Sequence, residues 1–202
     1  MMSASSAIER RLGRAAASSV LMAALALAAG FFGLVLVWGA LVVPGWAVSA
    51  VLLGISLALV GARALLRTRR ARHAGAQEPA SPRSARRTAA WAAGAAVVAL
   101  VSGLGFVADR PATYTVLGAA APGSCQVAVR ESSFLFAGAG EVYAVGAGGL
   151  GRVVGSWTAD DGYQPVSSGT YDLEWEDGSA VLSLHSSAGN PVWPASHTFA
   201  CP

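Results

Sequence analysis

Charge is what this chain has least of. Only 12% of its 202 residues are Asp, Glu, Lys or Arg, about half the share usual in soluble globular domains. With a mean hydropathy of +0.52, that scarcity excludes a wholly soluble globule. The 54% hydrophobic content excludes disorder throughout, because disordered chains are poor in apolar residues. Lysine is missing altogether, so every basic side chain is Arg. Cysteine occurs twice, at Cys125 and Cys201. What remains is a membrane protein.

The missing charges have an address. Between Arg14 and Arg63 lie 48 residues without one charged side chain, and about 20 apolar residues suffice for a helix to cross a hydrocarbon core of roughly 30 Å. Two crossings and a turn therefore fit. Gly and Pro interrupt helices and Trp favours the membrane–water interface, so Trp38-Gly39 and Pro44-Gly45-Trp46 mark the turn. The expected spans are residues 15–38 and 46–66, with a third at 88–108 between Arg86-Arg87 and Asp109-Arg110-Pro111. The first apolar run continues through Phe31-Phe32-Gly33-Leu34-Val35-Leu36-Val37, longer than a signal-peptide core. It is read as a retained span.

Arginine placement sets the expected orientation. The tail (residues 1–14) and the loop (67–87) with its flank hold Arg10, Arg11, Arg14, Arg63, Arg67, Arg69, Arg70, Arg72, Arg83, Arg86 and Arg87 against Glu9 and Glu78, a net +9. From Asp109 onward three Arg face nine acids, a net −6. Basic residues near spans stay inside, so tail and loop are expected in the cytoplasm of a multi-pass plasma-membrane protein, and residues 109–202 outside. The loop, poor in apolar residues and holding Pro79 and Pro82, reads as disordered, its arginines lying on anionic inner-leaflet lipids at about 1 kcal/mol per charge. Nothing aromatic interleaves them, which argues against nucleic acid. Both cysteines fall in the outer segment, where oxidising conditions favour a Cys125–Cys201 disulfide closing most of the domain, at about 4 kcal/mol in the chain-entropy model.

The uncharged stretches carry no ionisable group, which argues against a transporter or channel acting alone. Their polar residues are Ser18, Ser19, Ser49, Ser56 and Ser102, each able to bond its own helix backbone. Small residues recur at helical spacing: Ala23, Ala26, Gly30 and Gly33, then Ala47, Ala50, Gly54, Ala58 and Gly61, then Ala92, Ala96, Ala99 and Gly103. Such stripes let helices approach closely. Packing within the chain is the leading use; a partner membrane protein or a second copy is the other.

From Thr113 the pattern turns to short alternating runs. Tyr171, Leu173 and Trp175 alternate with Asp172, Glu174 and Glu176, then Asp177-Gly178-Ser179 reverses the chain into Ala180, Leu182 and Leu184. That is a hairpin with an acidic outer face. Further strands are expected at 126–130, 133–137, 141–145 and 152–158, with a last one ending near Cys201. The fold class is thus three transmembrane helices plus an all-β extracytoplasmic domain, a small antiparallel sandwich or barrel. Trp157, Tyr163, Trp175 and Trp193 read first as core or rim aromatics, and as a binding surface if exposed together.

The chemical motifs fail on context. Gly146-Ala147-Gly148-Gly149-Leu150-Gly151 matches the dinucleotide fingerprint, but a strand, not a helix, is expected after it. Asp160-Asp161-Gly162 lacks calcium-loop spacing, and His185 and His197 lack ligand partners at zinc spacing. No GxSxG elbow supports a hydrolase. No cofactor, metal or catalytic residue is assigned, and no enzyme is expected. The segments Ser133-Phe134-Leu135-Phe136-Ala137-Gly138-Ala139-Gly140-Glu141-Val142-Tyr143, Asp160-Asp161-Gly162-Tyr163-Gln164-Pro165-Val166 and Gly169-Thr170-Tyr171-Asp172, with an Ala-, Gly- and Arg-rich composition free of Lys, resemble integral membrane proteins of high-GC actinobacteria bearing an extracytoplasmic β domain. That resemblance implies no activity. The expectation is a non-enzymatic binding or assembly module at the cell envelope, or alternatively an accessory subunit of a transport or export complex.

Overall fold

The computed structural model describes residues 2–74, 82–118, 125–176, 178–187 and 189–200. The chain divides into a helical unit, residues 1–28 with 46–106, and a sheet unit, residues 29–45 with 107–202. Among the described residues, three segments are long and apolar enough to cross a membrane: Arg11–Phe31, Gly45–Arg69 and Thr88–Asp109. They lie in α1 (Met2–Phe31), α2 (Gly45–Ala74) and α3 (Pro82–Asp109).

Two expectations about these helices need correction. The first helix stops at Phe31, not Trp38, because Gly33 adopts φ 74° and its N–H bonds back to the Gly30 carbonyl at 3.0 Å. Left-handed glycine is a usual helix terminator. The loop expected to be disordered at 67–87 is helical on both flanks: α2 runs on to Ala74 and α3 opens at Pro82. Arg, Ala and Leu are good helix formers and Pro is favoured at a first helical position. Residues 75–81 lie outside the described residues.

Within the helical unit, serines link neighbouring helices. Ser56 Oγ donates to the Ala16 carbonyl, and Ser102 Oγ to Ser49 Oγ, each at 3.0 Å and buried. Ser19 alone of the described set follows the expected self-helix pattern, donating to the Ala15 carbonyl. Ser49, Leu53 and Ser56 are the buried stripe of α2, joined near its start by an edge-to-face Trp46–Phe106 contact at 5.4 Å. The glycine-bearing stripe of α2 points elsewhere: Ala50, Gly54, Ala58 and Gly61 are exposed, and a methyl added at Gly54 or Gly61 would meet nothing.

The sheet unit holds the main departure from expectation. Residues taken for the end of the first span and its turn form a β-hairpin, β1 (Leu34–Trp38) and β2 (Leu41–Pro44). Alternating β-branched residues suit strands, and the two-residue turn has Gly39 at φ 59°, as a type II′ hairpin requires at its first central position. The rest are β3 (Ala112–Leu117), β4 (Gln126–Phe134), β5 (Ala137–Val145), β6 (Leu150–Asp160), β7 (Tyr171–Glu176), β8 (Ser179–Leu184), β9 (Val192–Trp193) and β10 (Ser196–Ala200). The strand expected at 133–137 is instead a hairpin turn at Leu135-Phe136, and β3 was not anticipated.

All pairings are antiparallel. One sheet runs β2-β1-β6-β5-β4-β3 with β9 on β6, and a second runs β10-β8-β7. The large sheet curls until β2 and β3 approach, so it is nearly barrel-shaped. Its strands β4 and β5 are buried on both faces. Val127, Val129, Val142 and Ala144 share one core with Ala180, Leu182, Leu184 and Phe199 of the small sheet. Ala128, Tyr143 and Val145 share the other with Val35, Val37 and Val42 of the first hairpin. A register shift pairs Val142 with Gly155 but Tyr143 with Val153, leaving Val154 as a β-bulge. The extra residue reverses the strand's faces: Val153 packs with the hairpin core, whereas Trp157 and Ala159 pack with the other.

Candidate functional site

The richest polar cluster sits where α3 meets the sheet. Asp109, the last residue of α3, accepts from Arg130 Nε at 2.7 Å and from the Tyr114 hydroxyl at 2.9 Å. A second acid, Glu141, lies 3.8 Å from Arg130 and accepts from the Tyr143 hydroxyl. Register places Tyr114, Arg130 and Glu141 side by side on β3, β4 and β5. Burial first, then the Asp109 carboxylate, pushes the Tyr114 phenol far above its ordinary range; burial first, then Glu141, does the same to Tyr143. Burial opposes the Arg130 charge, but the Asp109 bond and its carboxylate raise its pKa nonetheless. The cluster therefore holds fixed protons. Its chemistry is that of a charge-assisted clamp, fastening the end of α3 to the middle of β4.

Sequence reasoning missed a second device. Glu131 is 1% exposed and accepts from the Val166 N–H at 2.8 Å and from the Ser167 N–H and hydroxyl at 2.6 Å each. It braces the turn between β6 and β7. An acid in mid-strand gives no local signal for a partner 35 residues away.

His185 and His197 lie in the sheet unit, and no group of three or more His, Cys, Asp or Glu that could hold a metal occurs among the described residues. His185 Nε2 meets Asp172 Oδ2 at 2.6 Å, both exposed. His197 is buried against Trp157 at 5.9 Å between ring centroids. Desolvation lowers its pKa, against a backbone hydrogen bond to Pro194 that raises it. Gly155 makes room for the ring: a Cβ there would fall 2.5 Å from Nδ1.

The four aromatics considered as a binding surface do not assemble into one. Trp157 is 2% exposed, and Tyr163 and Trp175 pack against the same core. Trp193 is 79% exposed. The glycine-rich motif is the β5–β6 turn, followed by a strand. Gly149 adopts φ 75°, its carbonyl accepts from the Val37 N–H at 2.7 Å, and a Cβ there would lie 2.4 Å from the Val37 oxygen. Its glycines serve the fold, admitting the first hairpin. Asp160-Asp161-Gly162 is a tight turn, with the Tyr163 N–H bonded to the Asp160 carbonyl at 3.0 Å. Cys125 is buried at the start of β4 and no free cysteine occurs among the described residues; Cys201, the other half of the expected disulfide, lies outside them. No protein-family model, curated protein or solved structure matches this chain.

Proposed function

We propose that this is a multi-pass plasma-membrane protein that presents its β sheet outside the cytoplasm as a non-enzymatic binding or assembly module. The observation that carries this reading is the pairing of β1 with β6, through Leu34–Arg152, Val35–Gly151 and Leu36–Leu150. The segment joining the first two apolar helices and the segment following the third are thereby parts of one sheet. Three helices crossing a bilayer, with both of these segments on one face, satisfy that pairing; the arginine excess then assigns that face to the outside. A sheet tethered through three helix ends is a presentation platform. Placed outside, Cys125 and Cys201 pair.

The alternative, an accessory subunit of a transport or export complex, draws support from the outward stripe Ala50, Gly54, Ala58 and Gly61 of α2, a surface suited to close approach by another helix. Purification in mild detergent after crosslinking in intact cells tests both. A stoichiometric envelope partner crosslinked through the sheet supports the module, and a transporter crosslinked through α2 supports the subunit. Recovery of an uncrosslinked monomer refutes both. An epitope after residue 202 that is shielded until cells are opened refutes the orientation.

A further inference from the structure

Strand register identifies which end of the large sheet receives the helices. β1 begins opposite Arg152 and runs toward Leu150, away from Asp160, and β2 returns to end at Pro44 opposite Val35. Residues 31–33 and Gly45 therefore join on the Asp160 side, as the Val153 N–H to Gly33 carbonyl bond of 2.9 Å also requires. β3 starts at Ala112 opposite Ser132, which faces Ala139, which faces Thr158. Thus all three helices leave the sheet in the Asp160 direction of β6, the first two level with Arg152 and Val153 and the third level with Thr158.

The element reaching furthest at that end is the β4–β5 turn, with Phe134 paired to Ala137 and Ala137 to Asp160. It extends three residues past Ser132, about 10 Å at strand rise. Its side chains are apolar and bare: Phe134, Leu135 and Phe136 are 74%, 78% and 80% exposed. Leu135 adopts φ 54°, a left-handed conformation that Gly or Asn would take at lower cost and that is unusual for a bulky side chain. Turn chemistry alone does not select Leu-Phe here. Trp193, paired to Thr158 and 79% exposed, lies at the same end and on the same sheet face as Phe134.

We infer that the Phe134-Leu135-Phe136 turn, with Trp193, is a lipid-contacting foot that seats this end of the sheet in the headgroup–acyl boundary of the bilayer. The inference rests on the membrane reading above. The occupant is lipid because the third apolar helix joins the sheet at Ala112, level with Ser132 and so two residues from Phe134, and the other two leave β1 and β2 in the same strand direction. Aromatic residues favour that boundary. Asp160 and Asp161, exposed at the neighbouring turn, keep the seat shallow; that turn is tied to the foot by the Gly162 N–H to Phe136 carbonyl bond of 3.1 Å.

The test uses the full chain in phosphatidylcholine–phosphatidylglycerol vesicles, with Phe136→Trp and Phe134→Trp read as difference emission against the parent. Native Trp193 is read as the loss in Trp193→Phe. Leu57→Trp reports mid-span and Ala147→Trp the opposite end of the sheet. The foot predicts blue-shifted emission at 134, 136 and 193, quenched most by lipid brominated near the headgroup end of its chains and little by iodide. Leu57→Trp should be quenched by mid-chain bromine and Ala147→Trp by iodide. If Leu57→Trp is quenched by lipid while 134 and 136 behave like Ala147→Trp, the foot is wrong and the membrane reading stands. If 134 and 136 are shielded from both quenchers, protein covers the turn and the foot is again wrong. An unquenched Leu57→Trp overturns both readings.

Discussion

Glu131→Ala is expected to destabilise the sheet unit by about 3 kcal/mol. The carboxylate accepts three hydrogen bonds, from Val166 N–H, Ser167 N–H and Ser167 Oγ, at 2.6–2.8 Å. Bonds to a charged acceptor contribute about 1.5–3 kcal/mol each, and a buried amide left unpaired costs about 1–3 kcal/mol. These terms are not additive: the Ser167 hydroxyl, half-buried, can turn to water, and removing the acid also removes its own desolvation cost. About 3 kcal/mol is what survives. For a cooperative unit of this size that corresponds to roughly 10–15 °C in melting temperature. Glu131→Gln retains one acceptor oxygen and should lose about half as much. The assay is urea unfolding of the full chain in detergent, followed by near-ultraviolet circular dichroism, with Glu141→Ala as control. Glu141 lies 3.8 Å from its Arg partner, is 40% exposed on its side chain and accepts a single bond, from the Tyr143 hydroxyl, so its truncation should cost less than that of Glu131, about 1–2 kcal/mol. A loss below about 1 kcal/mol for Glu131→Ala would refute the brace.

Three further outcomes follow from the packing. Because burial lowers the pKa of His197, the unfolded chain binds the extra proton first. The contribution of His197 to stability should be flat above about pH 6.5 and fall below it until the depressed native value is reached; His197→Gln should remove that contribution in pH-dependent melts. Gly149→Ala, forced to φ 75° and against the Val37 carbonyl, should cost about 2–4 kcal/mol and speed amide exchange at Val37. Gly148→Ala, whose Cβ meets nothing, should stay within about 0.5 kcal/mol. In a Ser49→Ala, Ser102→Ala cycle unfolded in mixed micelles, the coupling should be about 0.6 kcal/mol; strictly additive effects would dismiss the hydroxyl pair.

What could be read in advance was whatever leaves a local trace. The three expected spans hold helices, the first ending early at Phe31, and the alternation of Tyr171, Leu173 and Trp175 with exposed acids became β7, paired with β8 as expected. Leu34–Trp38 was misread because an unbroken apolar run beside a span has no period that separates helix from buried strand. Only pairing with β6 distinguishes them, and that partner lies far along the chain. The same non-locality hid Glu131, the Asp109–Arg130 clamp and the His185–Asp172 contact, each of which exists because the fold brings together residues separated along the chain. The Val154 bulge was invisible for another reason: odd-numbered residues of β6 point inward along the whole strand, so the alternation looks regular although it serves two cores.

The first hairpin also imposes an order on biogenesis. Leu36 pairs with Leu150, so β1 leaves the ribosome more than a hundred residues before its partner strand β6 is translated. During that interval Trp38 and Leu41 stand on a strand edge with no neighbour, the kind of surface that invites wrong partners. The last act of maturation is then the closing of β6 onto a template laid down at the start. A stall before Leu150 would leave that template open, a substrate for chaperones and proteases.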